Sequence, residues 1–107
     1  MAASSPSSAR ELVRPIAPKL VELAEEVVYG DVWERPGLSK RDRSLITVAT
    51  LVALGRERQL LGHLQRALGN GVSKDEIGEL ITHLAFYAGW PAAMTAALVA
   101  KDVFETA

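Results

Sequence analysis

The 107-residue chain has no cysteine. Disulfides, thiolate nucleophiles and cysteine-based zinc sites are thereby excluded. Aromatic residues are scarce, at 6%, while alanine and the aliphatic residues are abundant, which suits close-packed helices better than a sheet. Charge of one sign is also lacking: 12 Lys and Arg stand against 13 Asp and Glu. A field so balanced exerts no strong pull on nucleic acid or an anionic membrane. No apolar run reaches the roughly 18 residues of a membrane span, and no basic-then-apolar signal pattern opens the chain. A glycine-rich phosphate loop is missing as well, since Gly69-Asn70-Gly71 has neither the P-loop nor the dinucleotide pattern. The expectation is a single soluble, cytoplasmic domain with no nucleic-acid or membrane partner.

What is present is helical periodicity. Residues 1–9 are mostly Ala, Ser and Pro, have little to bury, and read as a disordered tail before a domain over 10–107. From about Pro15 to Tyr29, the residues Ile16, Leu20, Leu23, Val27 and Val28 recur at helical spacing. Gly30–Leu38 interrupts the pattern, with Trp33 either a hydrophobic plug or a pocket wall. Ser39 can cap a helix whose third residue, Asp42, can reach back to the Ser39 amide. That helix runs to Leu54, with Gly55 as its stop. It is apolar on almost every side, so it is expected to be central and buried all round. Arg56–Leu68 is a third helix with a leucine stripe, and Gly69–Val72 breaks it. Ser73-Lys74-Asp75-Glu76 is a second capping box, opening a helix to about Ala88. Pro91 starts the last one.

The fourth helix carries Glu79, His83, Phe86 and Tyr87, with Trp90 just beyond, on the face away from its core stripe. An ordinary solvent face would not hold three aromatics, so the loop around Trp33 or another subunit should cover it. Two helices apolar on most sides are hard to bury in so small a domain. An obligate oligomer follows.

Both histidines, His63 and His83, lie between Leu60 and Pro91. Glu79-x-x-x-His83 is a weak metal signal, one pair of ligands and no more. The polar residues that could do chemistry are His63, Glu79 and His83, with Arg41 and Arg43 at the start of the central helix. An imidazole titrating near neutrality and fixed guanidiniums would suit acid–base work on an anionic substrate. The alternative is that the histidines merely bridge helices.

One set of residues resembles a known family. Gly30-Asp31-Val32-Trp33, Arg35-Pro36-Gly37-Leu38, Arg41 and Arg43-Ser44-Leu45 come first. His63-Leu64 leads to Ala67-Leu68-Gly69-Asn70-Gly71-Val72; then come Glu76-Ile77, Glu79, and Tyr87-Ala88-Gly89-Trp90-Pro91-Ala92-Ala93. In order and spacing this resembles the carboxymuconolactone decarboxylase family, over roughly Pro18 to Phe104. The wider alkyl hydroperoxidase D-like superfamily includes members with Cys-x-x-Cys-x-x-x-His. With their histidine matched to His63, the cysteine positions fall on Arg56 and Gln59.

The resemblance implies an all-α domain of five to six helices that assembles as a trimer or hexamer, with sites near subunit contacts. It implies a cofactor-free carboxy-lyase converting 4-carboxymuconolactone to β-ketoadipate enol-lactone and carbon dioxide in protocatechuate degradation. His63, Glu79 and His83 would be the catalytic candidates. Arg41, Arg43, Trp33, Arg56, Tyr87 and Trp90 would bind the small dicarboxylate lactone, without a metal. The alternatives are a non-catalytic oligomeric binding module of the same fold and a member acting on another small carboxylated substrate. Because Arg56 and Gln59 replace the redox cysteines, the purified protein is expected to show no thiol-dependent peroxide reduction in a coupled dithiol assay. Measurable turnover would contradict that.

Overall fold

The structure, a computed structural model, describes residues 6–106, and of residues 6–8 the backbone alone. The helices are α1 (Pro6–Val13), α2 (Pro18–Leu23), α3 (Lys40–Leu54), α4 (Glu57–Gly69), α5 (Lys74–Tyr87) and α6 (Trp90–Thr106). A π-helical turn, Ala24–Tyr29, extends α2, and a 3-10 turn spans Val32–Glu34. No strand occurs among the described residues, so the domain is all-α, as its composition requires. Of the expected tail, residues 1–5 lie outside the described residues, while from Pro6 the chain is already α1.

The core belongs to α3–α6. Val48 and Val52 of α3 meet Leu60, Leu64 and Ala67 of α4, Ile77 and Ile81 of α5, and Ala93, Ala96, Ala100 and Val103 of α6. Burying each large aliphatic side chain is worth about 1.5–3 kcal/mol. The alanines of α6 let its backbone come close to its neighbours. α3 touches α4, α5 and α6, the central position that its lack of a polar stripe demands. It is not buried all round, however: Ile46 and Leu54 point outward and are more than half exposed. α4 and α5 are diagonal to each other, and α3 and α6 are their shared neighbours.

The turns follow the sequence closely. The Ser39 hydroxyl accepts from the Asp42 amide at 3.0 Å, although the Asp42 carboxylate lies 3.7 Å from Arg41 instead of returning to Ser39. Gly55 ends α3 in the left-handed region at φ 69°. The Ser73–Glu76 capping box closes in both directions. Ser44, the buried polar side chain of the core, is satisfied by Asn70 Nδ2 at 3.0 Å, which ties the break after α4 to the start of α3.

The N-terminal layer departs most from expectation. Ile16, Leu20, Leu23, Val27 and Val28 face outward, and Val21 is the residue that buries. The π turn at the end of this segment winds more widely than an α-helix, and Tyr29, its last residue, turns in toward α4, where it meets His63. Gly30 ends the turn where a Cβ would lie 2.7 Å from the carbonyl oxygens of both Glu25 and Glu26. Both obstacles are backbone and cannot swing aside. Gly30→Ala should therefore cost about 1–3 kcal/mol, the range for forced overpacking, measured by urea unfolding. Gly37→Ala, in open space, should stay within about 0.5 kcal/mol. Equal midpoints for the two variants would contradict this account of the turn.

Candidate active site

His63 projects from α4 toward the segment that the π turn shapes. Tyr29 Oη lies 3.4 Å from His63 Nε2, a long contact of the kind that tightens in a ligand complex. The Trp33 ring stacks on the imidazole at 6.4 Å between centroids and meets the Tyr29 ring tilted by 34° at 5.7 Å. Trp33 is only 8% exposed, so it is both plug and wall. One turn beyond His63, the Arg66 guanidinium lies over the Tyr29 ring at 4.2 Å and the Trp33 ring at 5.5 Å. Arg10 of α1 lies 4.7 Å from the Tyr29 ring centre. Aromatic faces attract such cations through their quadrupoles.

Two buried nitrogens in this cluster have no hydrogen-bond partner among the described residues: Nδ1 of His63 and Nε of Arg66. Unpaired buried polar atoms are costly, and two of them on residues one helical turn apart suggest a place for an absent acceptor. Burial, and then the charge of Arg66, pull the His63 pKa below its ordinary value. The ring is therefore neutral at pH 7.

The other expected site residues lie elsewhere. Glu79 and His83 are exposed on α5, diagonal to α4, and His83 stacks on Tyr87 at 4.7 Å. Among the described residues no hydrogen bond or ring contact joins them to His63, and none joins Glu79 to His83. The single polar cluster expected from the sequence is thus divided by the helix arrangement. Arg41 is bound to Glu76 of the α5 capping box; the hydrogen bond from the Ser73 amide, and then Arg41, draw the Glu76 carboxyl below its ordinary value. Arg43 donates to the Arg35 carbonyl at 3.2 Å. Arg56 is exposed at the start of α4. Tyr87 and Trp90 are exposed, at 78% and 61%, and the loop around Trp33 does not cover them. Tyr29 and Arg66 were not among the candidates. Arg66 could have been found as the cation one helical turn from His63; Tyr29 could not, because its position depends on the π turn.

Comparison with known proteins now decides the family. Residues 18–102 match the model of the carboxymuconolactone decarboxylase family. The chain belongs to that family. It is 52% identical over 77 residues to a 4-carboxymuconolactone decarboxylase of Acinetobacter baylyi, covering 72% of this chain and 58% of that protein. It is 38% identical over 84 residues to a nitrosuccinic acid decarboxylase of Metarhizium robertsii, covering 78% and 59%. An uncharacterized 15.0 kDa protein of Paracoccus denitrificans is 32% identical over 81 residues, covering 74% and 60%. The chain spans about three fifths of the length of these curated relatives. The family segment contains Tyr29, Trp33, His63 and Arg66, whereas Arg10 lies ahead of it.

The depressed His63 makes a pH prediction. Below its ordinary value of about 6.5, the unfolded chain takes up a proton that the folded chain resists. Stability should therefore fall as pH drops through that value. Thermal unfolding between about pH 7.5 and pH 5.5 should show the loss, and His63→Gln should flatten it. Glu25 and Glu76, also lowered, act only in the more acidic carboxylate range. An unchanged slope in His63→Gln would refute the assignment.

Proposed function

We propose that the protein is a cofactor-free decarboxylase of small dicarboxylic acids, with 4-carboxymuconolactone as its substrate. The supporting observation is the neutral, half-buried His63, walled by Tyr29 and Trp33 and flanked by Arg66, in a chain that is half identical to an enzyme of that name over the shared segment. Nitrosuccinic acid, named for the second relative, has the same chemical logic. In each compound, carbon dioxide can leave because the electron pair passes into a neighbouring acceptor, a conjugated lactone carbonyl in one and a nitro group in the other.

In the reaction, the carbon–carbon bond to the leaving carboxylate breaks and its electron pair forms a dienolate on the lactone. A proton must then reach the ring. His63 is the group placed to manage that proton, after a bound dianion has made its charged form affordable. The aromatic walls exclude water and strengthen each electrostatic contact. Glu79 and His83 take no part in this step.

The exposed Phe86, Trp90, Met94 and Leu98, together with the outward stripe of α2, point to assembly into the expected trimer or hexamer. Such a surface alone would also suit a non-catalytic oligomer, and turnover distinguishes the two. Ultraviolet monitoring should show the wild type consuming 4-carboxymuconolactone. His63→Gln should lower kcat by about 10²–10⁴ with unchanged sedimentation, and Glu79→Gln should stay within about threefold. No wild-type turnover would support the non-catalytic module, and full activity in His63→Gln would remove the histidine from the mechanism.

A further inference from the structure

Arg66 is a cation with an unusual set of partners. Among the described residues, no carboxylate pairs with it. Its guanidinium is held by two aromatic faces, and its Nε is buried without an acceptor. The contrast with Arg41 is clear, since that residue is already bound to Glu76. A guanidinium has a planar fork of donors suited to a carboxylate, and stacking on rings holds the fork in place without using those donors.

We propose that Arg66 is the carboxylate anchor of the site, and that it holds the carboxylate the substrate keeps rather than the one it loses. The inference rests on the decarboxylase reading above. Both named compounds carry two carboxylates, and only one leaves. Pairing the leaving group with a guanidinium would stabilise the ground state and oppose its conversion to neutral carbon dioxide. Pairing the retained group costs nothing in the transition state and fixes the orientation of the ring. Arg66 is one helical turn from His63, so a substrate anchored there places its reacting carbon beside the imidazole.

Anchoring also has an electrostatic consequence. Tyr29 touches the imidazole, and the cations stacked on that contact are Arg66 and Arg10. Glu25, at the other end of the π turn, is held by Arg14. The charge of Arg66 disfavours imidazolium. A carboxylate bound to Arg66 cancels that charge and lets His63 take up its proton when substrate arrives.

The test uses the full chain and adipate, a simple dicarboxylate. With only two histidines in the sequence, each can be followed by nuclear magnetic resonance through a pH titration. Saturating adipate should raise the His63 midpoint in the wild type. In Arg66→Gln the free midpoint should already be higher and should no longer respond to adipate. For 4-carboxymuconolactone, Arg66→Gln should raise KM about 10- to 100-fold, the loss expected for a charge-assisted hydrogen bond, with kcat within about threefold. Arg66→Lys, which keeps the charge, should fall between. No adipate response in the wild type, or an equal response in Arg66→Gln, would overturn the proposal, as would an unchanged KM. Absence of any wild-type turnover with a normal adipate response would instead refute the decarboxylase reading and leave the anion site standing.

Discussion

A neutral imidazole stacked on tryptophan, in contact with a tyrosine hydroxyl and beside a cation, depends on one backbone irregularity. The π turn Ala24–Tyr29 brings Tyr29 to His63, and Gly30 lets the turn end without a side chain against the carbonyls behind it. Wide turns of this kind are rare and concentrate at functional sites. Here the turn also positions the ring on which both Arg10 and Arg66 rest.

Much of this was legible in the sequence, for reasons that differ by element. The caps at Ser39 and Ser73, the stop at Gly55 and the break over residues 69–72 depend on local chemistry, and each falls where its residues require. The buried positions of α4 and α5 follow from apolar spacing, which a regular helix preserves, whereas α6 buries Ala93, Ala96, Ala100 and Val103 and leaves the larger Met94 and Leu98 exposed. The N-terminal segment is helical as its spacing requires, but its stripe faces outward. Periodicity shows that a face is apolar, not what it meets. The site was half legible: His63 could be singled out by type and by resemblance, whereas its partners come from another part of the chain through a turn with no sequence signature. Within one copy of the chain His63 lies apart from Glu79 and His83, because α4 and α5 are diagonal, a tertiary fact that spacing along the chain does not contain.

The two sets of arginines show how partners decide roles. Arg41 and Arg43 stand at the start of α3, where a cation opposes the helix dipole, and that oddity suggested substrate binding. Their contacts give a simpler account, since Arg41 joins α3 to the α5 cap and Arg43 holds the loop carbonyl of Arg35. Arg66 has no such tie. The large exposed side chains make the same point at the scale of the whole domain. Phe86 and Tyr87, each more than three quarters exposed, have no partner among the described residues that hides them, so their helical spacing alone says nothing of what they meet.

The central claim is that substrate binds between His63 and Arg66 rather than on the α5 face. A crystal structure with an unreactive analogue, the saturated dicarboxylate lactone, tests it most directly. The account predicts one carboxylate paired with the Arg66 guanidinium and the lactone ring against His63 and Trp33. An analogue bound instead at Glu79 and His83, with Arg66 still unpaired, would contradict it.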